Sequence, residues 1–382
     1  MHIVTLSTAL DRADGTKLEA GSYLVDDLNA AEIMVEADRG TAVVRYFADI
    51  NRRQLQDPAA NAILVIHPGG LGDQMMLGPA LRAHKRYYPG ITIHVCCRRR
   101  HRIVYEHLDY PDAFVDYPLN MDGLFGRYSR IILTENMNEG ERGRTAHGIY
   151  LRAEILGVDL KGDTKVEYKV TDQERADAAA RYPRQSYEGR IETVPRKRIG
   201  IQLAASAFNR TMSAQKMSSL IHSLYMEDWE IMIFGSEGST GALFKGVPEP
   251  VMVKVRERLH DCAQAELTFR QSAAVAETCD VIVAPDSSMM HIAGALNVPC
   301  VALFGPIDYK IRTAYYLSVF ALHGNSGSLE AGGCPIAPCG FHPRGGIHFP
   351  KNGPCALTGH CHAIDSIKLE AIGRKIQQLI LP

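Results

Sequence analysis

The chain has 382 residues, and 46% of them are hydrophobic, which is enough for two or three domains with cores of their own. Its 42 basic and 43 acidic residues nearly cancel, so overall charge would not hold the protein on nucleic acid or on an anionic membrane. The sequence has no apolar run of about 18 residues and no basic-then-apolar leader, so we expect a cytoplasmic protein without a transmembrane segment.

Residues 1–58 precede the first long pattern of alternating strands and helices. Residues 21–25 and 41–46 have the β-branched and aromatic composition of strands, and they flank a helical pattern at 28–37. We expect a small α+β appendage that serves packing or oligomerisation, and we expect a homo-oligomer.

Residues 59–183 alternate strands with helices, which predicts a parallel sheet covered by helices. The predicted strands are 62–66, 91–96, 113–116 and 130–134, and the predicted helices are 74–88, 101–108 and 148–156.

The first strand of this series runs directly into a glycine-rich turn. Gly69, Gly70 and Gly72 follow the apolar residues 62–66, and Asp73 comes next. Glycines let the backbone turn sharply and approach a ligand, and a helix that begins here offers free N–H groups. The turn therefore predicts the floor of a cleft with Asp73 at its rim, although its spacing differs from the G-x-G-x-x-G of dinucleotide-binding proteins.

A charged segment with little periodic hydrophobicity, residues 184–198, is predicted to be a linker. A second series follows in residues 199–382, where the turn Asp286-Ser287-Ser288 again lies between a buried strand and a helix. Two such junctions predict two Rossmann-like α/β domains that face a central cleft. The predicted strands are 198–203, 230–234, 280–284 and 299–303, and the predicted helices are 214–225, 270–277, 289–296 and 367–381.

Four short motifs, taken together and in this order, resemble a known family. They are Ile66-His67-Pro68-Gly69-Gly70-Leu71-Gly72-Asp73, Gly78-Pro79-Ala80-Leu81-Arg82, Ala284-Pro285-Asp286-Ser287-Ser288-Met289-Met290-His291 and Leu303-Phe304-Gly305-Pro306. The chain resembles the ADP-heptose:lipopolysaccharide heptosyltransferases, glycosyltransferase family 9. The resemblance covers residues 62–381 and does not extend to residues 1–58.

The resemblance implies a GT-B glycosyltransferase that moves a heptose or hexose, with inversion, from a nucleotide-diphosphate donor to an acceptor hydroxyl. It implies that Asp73 is the general base and that no catalytic metal takes part; helix capping is the alternative role for Asp73. The family pattern D-T-G-x-x-H is replaced here by residues 286–291, where a side chain stands in place of the glycine. The donor sugar and its base therefore stay open, and ADP-heptose is not assumed.

The resemblance also implies a set of residues that bind the nucleotide sugar. The hydroxyls and first-turn amides at the second turn suit a diphosphate, the glycines of the first turn would help, and a cation would offset the leaving-group charge. Plainer interpretations are a core histidine, a helix cap and a solvated loop cation for His291, Glu237 and Arg210. The full set is Gly69, Gly70, Gly72, Ser206, Arg210, Lys216, Glu237, Asp286, Ser287, Ser288 and His291.

A basic cluster follows the strand at 91–96 and is predicted to bind the acceptor: Arg98, Arg99, Arg100 and Arg102. The carboxyl ends of parallel strands face the ligand crevice, so these side chains would suit an anionic acceptor. A phosphorylated glycan, a protein side chain and a modified nucleic acid all remain open. The alternative is a solvated helix start with arginines that point outward.

Four cysteines in a Gly/Pro-rich stretch within the predicted loop 330–362 predict a metal site: Cys334, Cys339, Cys355 and Cys361. Two close pairs around a loop suit a tetrathiolate zinc or iron site, and autotransporter heptosyltransferases are similar in carrying a four-cysteine iron site. Four thiolates leave no open coordination position, so the metal would be structural. Reduced thiols and two disulfides are the alternatives.

Two other functions stay open from the sequence. One is an NADP-dependent oxidoreductase, in which residues 98–100 would bind the 2′-phosphate. The other is a non-catalytic sugar-nucleotide-binding or assembly protein that kept the fold and lost the reaction.

Overall fold

The computed structural model describes residues 2–13, 15–25, 27–37, 41–46, 56–124, 126–134, 145–188, 192–206, 208–235, 240, 257–330, 332–339 and 361–380. The chain divides into two compact units. The first unit comprises Met1–Met137 and Gly148–Thr164, and the second unit comprises Asn138–His147 and Lys165–Pro382. The domain boundaries stated above stay a prediction.

The first unit contains ten strands and three α-helices within its described residues, together with 3-10 helices at Arg99–Tyr105 and Met121–Gly123. The strands are β1 (His2–Leu6), β2 (Leu10–Asp11), β3 (Lys17–Leu18), β4 (Gly21–Val25), β5 (Ala42–Tyr46), β6 (Ala62–Ile66), β7 (Thr92–Cys97), β8 (Ala113–Asp116), β9 (Leu119–Asn120) and β10 (Arg130–Leu133). The helices are α1 (Asp27–Glu36), α2 (Leu71–Tyr87) and α3 (Gly148–Leu156).

The second unit contains eight strands and seven α-helices in the part of the chain that the structure describes, and a 3-10 helix at Phe208–Arg210. The strands are β11 (Ser186–Glu188), β12 (Thr193–Pro195), β13 (Arg198–Gln202), β14 (Glu230–Phe234), β15 (Leu259–Asp261), β16 (Val281–Pro285), β17 (Cys300–Phe304) and β18 (Val319–His323). The helices are α4 (Asp172–Arg181), α5 (Ala214–Met226), α6 (Phe269–Glu277), α7 (Ser288–Leu296), α8 (Lys310–Thr313), α9 (His362–Asp365) and α10 (Leu369–Ile380).

The N-terminal segment forms an antiparallel sheet with the strand order β5-β1-β4-β9. Residues Ile3 and Leu24 of this sheet share one core with Leu64 and Ile66 of β6. The segment therefore contributes to the core of the first unit, which is consistent with the packing role expected for it.

The parallel sheet of the first unit has the strand order β10-β6-β7-β8. The strand order reverses between β6 and β10, which is where parallel α/β sheets place their ligand crevice. The sequence at 62–66 predicts β6 with its bounds as observed, because a strand buried on both faces is a continuous apolar run. The helix expected at 101–108 is instead the 3-10 helix at Arg99–Tyr105.

The second unit has a six-stranded parallel sheet with the order β15-β14-β13-β16-β17-β18. Counted along the chain, these strands lie in the order 3-2-1-4-5-6 of the Rossmann fold, which reverses between β13 and β16. The core includes Ile199, Ile231, Val281 and Val301 from four of the strands. Two parallel sheets confirm the predicted α/β class.

Among the helices of the described residues, none is both long enough and apolar enough to cross a membrane. The cytoplasmic location stays a prediction.

Candidate active site

The glycine turn of the first unit connects β6 to α2. Gly70 is the extended residue before α2, with φ −68° and ψ 177°, and its N–H donates to Oδ2 of Asp73 at 3.3 Å. A Cβ added at Gly69 would lie 2.9 Å from the Cβ of Asp73, so only glycine fits there. At Gly70 the nearest atom would be at 3.8 Å, an ordinary contact. Gly72 lies in the first turn of α2.

The buried side chain of Gln74 fixes the shape of this turn. Its Nε2 donates to the carbonyl oxygen of His67 at 2.6 Å and to that of Gly69 at 3.2 Å. The hydroxyl of Tyr105 donates to Oε1 of Gln74 at 2.9 Å. These hydrogen bonds therefore fix the backbone of the turn that precedes Asp73.

Asp73 forms an ion pair with Arg152 of α3, a residue that no sequence motif indicated. Nη2 of Arg152 donates to Oδ1 of Asp73 at 2.9 Å, and Nη1 donates to the carbonyl oxygen of Gly148 at 2.8 Å. The side chain of Arg152 is 1% exposed, whereas that of Asp73 is 33% exposed. Asp73 therefore combines a buried cationic partner with access to solvent, and it also caps α2.

Two buried histidines lie close to Asp73 and are neutral. The hydroxyl of Thr134 donates to the carbonyl oxygen of Ile66 at 2.9 Å, so it accepts from Nδ1 of His67 at 2.5 Å. Burial, followed by the charge of Arg152, lowers the pKa of His67 to about 3. Burial, followed by the charges of Arg100 and Arg98, lowers the pKa of His101 to about 4. Neither imidazole carries a charge at neutral pH.

The four arginines expected to bind the acceptor differ in their surroundings. Nη2 of Arg99 lies 3.1 Å from Oδ2 of Asp116, and Arg102 bonds to the other oxygen of the same carboxylate. Arg98 is half-buried, whereas Arg100 is exposed and forms no ion pair with a described residue. Two of the four arginines thus bond to Asp116. The acceptor-binding role of the cluster stays a prediction.

In the second unit, three predicted residues meet where the strand order reverses. Nη1 of Arg210 donates to the carbonyl oxygen of Asp286 at 2.9 Å and lies 3.2 Å from its Oδ2. Nη2 of Arg210 donates to Oγ of the exposed Ser206 at 2.8 Å. Nε of Arg312 lies 3.9 Å from the Asp286 carboxylate. Burial acts to raise the pKa of Asp286, but the charges of Arg210, Arg312 and His291 outweigh it and hold that pKa below its usual value.

The N-terminus of α7 adjoins this group. Ser287 is the extended residue before the helix, with φ −146° and ψ 171°, and Ser288 is the first helical residue. The Oγ of Ser287 is buried and has no hydrogen-bond partner among the described residues. A helix N-terminus with a spare hydroxyl suits an anionic ligand.

His291 and Lys216 make structural contacts. His291 is 3% exposed, and its Nδ1 lies 2.7 Å from the hydroxyl of Tyr316, a contact that fits the alternative of a core histidine. Nζ of Lys216 donates to the carbonyl oxygen of Asp365. Glu237 lies outside the described residues, and the binding roles of all three stay predictions.

Three of the four cysteines in the predicted metal site are described. Cys334, Cys339 and Cys361 are all buried, and the first and last belong to one core cluster of the second unit. Cys355 lies outside the described residues. No group of three or more His, Cys, Asp or Glu residues among the described positions is arranged to hold a metal ion. The metal site stays a prediction.

Comparison with known protein families finds a match in the second half of the chain and the residues just before it. Residues 141–326 match the model of glycosyltransferase family 9 (heptosyltransferase). The resemblance to this family is confirmed. The match also confirms the prediction of a glycosyltransferase, at the level of heptosyltransferase-like activity, and favours it over the oxidoreductase alternative. No curated protein sequence is similar enough to be recognised as a relative.

Solved structures share the fold at low sequence identity. The E. coli ADP-heptose lipopolysaccharide heptosyltransferase II is 16% identical, with a TM-score of 0.59, and the match covers 84% of this chain and 98% of that one. The E. coli heptosyltransferase WaaC, solved with ADP-2-deoxy-2-fluoro heptose, is 12% identical, with a TM-score of 0.50 and coverages of 83% and 99%. These matches confirm the predicted GT-B fold.

A third structure matches over nearly the whole chain. The dodecameric iron-containing heptosyltransferase TibC, in complex with ADP-D-beta-D-heptose, is 11% identical, with a TM-score of 0.53. The match covers 99% of this chain and 90% of that one, so the structural likeness includes most of residues 1–58.

Proposed function

We propose that the protein is an inverting glycosyltransferase that moves a heptose or hexose from a nucleotide-diphosphate sugar to an acceptor hydroxyl. The observation that carries the proposal is the carboxylate of Asp73, which is 33% exposed in the first turn of α2 and bonded to a buried arginine. A carboxylate in this setting stays ionised and accepts a proton.

The second unit supplies the donor site in this proposal. The α7 N-terminus, the spare hydroxyl of Ser287 and the guanidinium of Arg210 together offer N–H and O–H donors and positive charge to a diphosphate. These groups offset the charge that develops on the leaving diphosphate, so the proposed reaction uses no catalytic metal. ADP-heptose is the first donor to test, because WaaC and TibC have been solved with ADP-heptose compounds.

The reaction is a single displacement. Asp73 takes the proton of the acceptor hydroxyl as that oxygen forms a bond to the anomeric carbon of the sugar. The bond between this carbon and the diphosphate oxygen breaks at the same time, and the electron pair leaves on the diphosphate. One displacement from the opposite face inverts the anomeric centre. An anionic acceptor would suit Arg98 and Arg100, and residues 1–58 would serve packing or homo-oligomerisation.

Replacing Asp73 with Asn tests the base. We expect turnover with ADP-heptose or an ADP-hexose to fall about a hundredfold or more, because the amide cannot accept the proton. Isothermal titration with ADP should give the wild-type affinity, because the donor site lies in the second unit. Asp163→Asn is the matched control, since Asp163 pairs with Arg82 elsewhere in the first unit. If thermal unfolding shows that Asp73→Asn is folded, and its turnover equals that of Asp163→Asn, the assignment of Asp73 as the base is wrong.

We also propose that Cys334, Cys339, Cys355 and Cys361 hold a structural zinc or iron ion. Burial of three of these thiols supports a site closed to solvent, and TibC, which shares the fold, is an iron-containing protein. Elemental analysis of the purified protein should find about one zinc or iron per chain. Cys361→Ser should lower this content, whereas Cys300→Ser, at a buried core thiol, should leave it unchanged. A chain with neither metal would contradict the site.

A further inference from the structure

Arg152 is built into the first unit in a way that leaves its guanidinium little freedom. Its side chain is 1% exposed, and its Nη1 donates to the carbonyl oxygen of Gly148, one helical turn earlier, at 2.8 Å. A Cβ added at Gly148 would lie 2.7 Å from that Nη1 and 3.1 Å from the sulfur of Met76. A glycine at position 148 is therefore required for the guanidinium to lie where it does.

The fixed guanidinium in turn fixes the carboxylate of Asp73. Oδ1 accepts from Nη2 of Arg152 at 2.9 Å, and Oδ2 accepts the N–H of Gly70 at 3.3 Å. One contact on each oxygen defines the plane of the carboxylate, and the charged contact is the stronger of the two. A base in a displacement reaction needs such a fixed orientation, because misplacement by about 1 Å costs about a hundredfold in rate.

Arg152 is a charged group that bonds directly to the carboxylate of Asp73. Among the described residues, the ionisable groups that act on Asp73 include Arg152 from α3, His67 after β6 and His101 after β7. Burial keeps the pKa of His67 at about 3 and that of His101 at about 4, so both are neutral from pH 5 upward. Of these three groups, only the guanidinium then favours the ionised carboxylate.

We propose that Arg152 is a positioning residue for the reaction: it orients the carboxylate of Asp73 and favours its ionised form. This inference rests on the proposed role of Asp73 as the base. Arg152 contacts no substrate in this proposal and acts only through Asp73.

The test compares Arg152→Met with Arg152→Lys in the full-length protein. We measure kcat and the KM for ADP-heptose from pH 3 to pH 8, because the ordinary pKa of an aspartate is about 3.9 and an adjacent arginine lowers a carboxyl pKa. We expect Arg152→Met to lower kcat about tenfold or more and to move the acidic limb of the kcat profile upward by about one pH unit, because a nearby opposite charge shifts a carboxyl pKa by about 1–3 units. The KM for ADP-heptose should stay within about twofold of wild type, because lost transition-state interactions lower kcat alone. Arg152→Lys should restore the position of the limb and part of kcat.

Arg82→Met is the matched control, because Arg82 also pairs with an aspartate of the first unit, Asp163. It should lose stability without moving the acidic limb. If Arg152→Met does not fold, Arg152→Lys decides: a kcat several-fold below wild type supports positioning, and a wild-type kcat overturns it.

The inference and the proposed function fail in different ways. An active Asp73→Asn variant would contradict both the proposed function and the role of Arg152. Suppose instead that Asp73→Asn is inactive, while Arg152→Met keeps the wild-type kcat and the wild-type acidic limb of the kcat profile. That result would contradict the role of Arg152 and leave the proposed function standing.

Discussion

Asp73 and Asp286 can be compared between the two units, Asp73 in the first turn of α2 and Asp286 directly after β16. Each follows a parallel strand at the point where the strand order of its sheet reverses, and each pairs with an arginine. The two aspartates differ in their exposure to solvent. The side chain of Asp73 is 33% exposed and its arginine 1%, whereas the side chain of Asp286 is 5% exposed and Arg210 is 25% exposed. In the first unit the carboxylate faces solvent, and in the second the arginine is the more exposed partner.

In the proposed reaction, this difference in exposure separates a reacting group, Asp73, from a supporting one, Asp286. A carboxylate that faces solvent can meet a hydroxyl, whereas a buried carboxylate beside a phosphate would repel it. We infer that Asp286 acts through Arg210, by holding the guanidinium toward an anionic ligand. Sequence motifs alone assign both aspartates to the site, and only burial distinguishes their roles.

The largest effect expected from this comparison is on stability. Asp286→Asn should lower the free energy of unfolding by about 2–4 kcal/mol, because it leaves the nearly buried Arg312 and the partly exposed Arg210 without their shared carboxylate. The low pKa of Asp286 means that this stabilisation is present at neutral pH and is lost as the pH falls through the folded-state pKa. Urea unfolding at pH 7 measures the loss.

Glu277→Gln is the control for that experiment. Glu277 pairs with Arg175, which is 46% exposed, so its loss should cost far less than the loss of the Asp286 carboxylate. If both variants lose the same free energy of unfolding, the carboxylate of Asp286 does not hold its arginines in place. The proposed difference between Asp286 and Asp73 would then be wrong.

Much of the fold could be predicted because the buried strands of a parallel sheet are nearly continuous apolar runs. Residues 230–234 predict β14 with its observed bounds, since all five residues are buried. Helix α4 was not predicted, because its sequence has little apolar periodicity and Ala178 alone among its residues is buried. The available signal was the capping box of Thr171 and Glu174. Strand β1 pairs with β4 and β5, and no local pattern indicates such long-range pairing.

The candidate site could be predicted only in part. The glycine turn identifies Asp73, because glycines and a carboxylate at a strand end are a local pattern. Arg152 lies 79 residues further along the chain, on a helix that is otherwise largely apolar. Its partner depends on how α2 packs against α3, which no local spacing encodes. One signal was present: Arg152 has no acidic residue three or four positions away to pair with on its own helix.

A smaller effect, on binding, tests the second unit. Ser287→Ala should leave the free energy of unfolding within about 0.5 kcal/mol of wild type, because the Oγ has no hydrogen-bond partner among the described residues. If this hydroxyl donates to the diphosphate, its removal should weaken ADP binding by about 0.5–1.5 kcal/mol, or about two- to tenfold, in isothermal titration.

Ser318→Ala is the matched control for Ser287→Ala, because Oγ of Ser318 is also buried and also lacks a partner within the described parts of the second unit. A general effect of removing a buried hydroxyl would change ADP affinity in both variants. A loss confined to Ser287→Ala would place the diphosphate at the α7 N-terminus, beside the arginine that Asp286 supports. Equal affinities in both variants and wild type would remove Ser287 from the donor site and leave Arg210 to carry it.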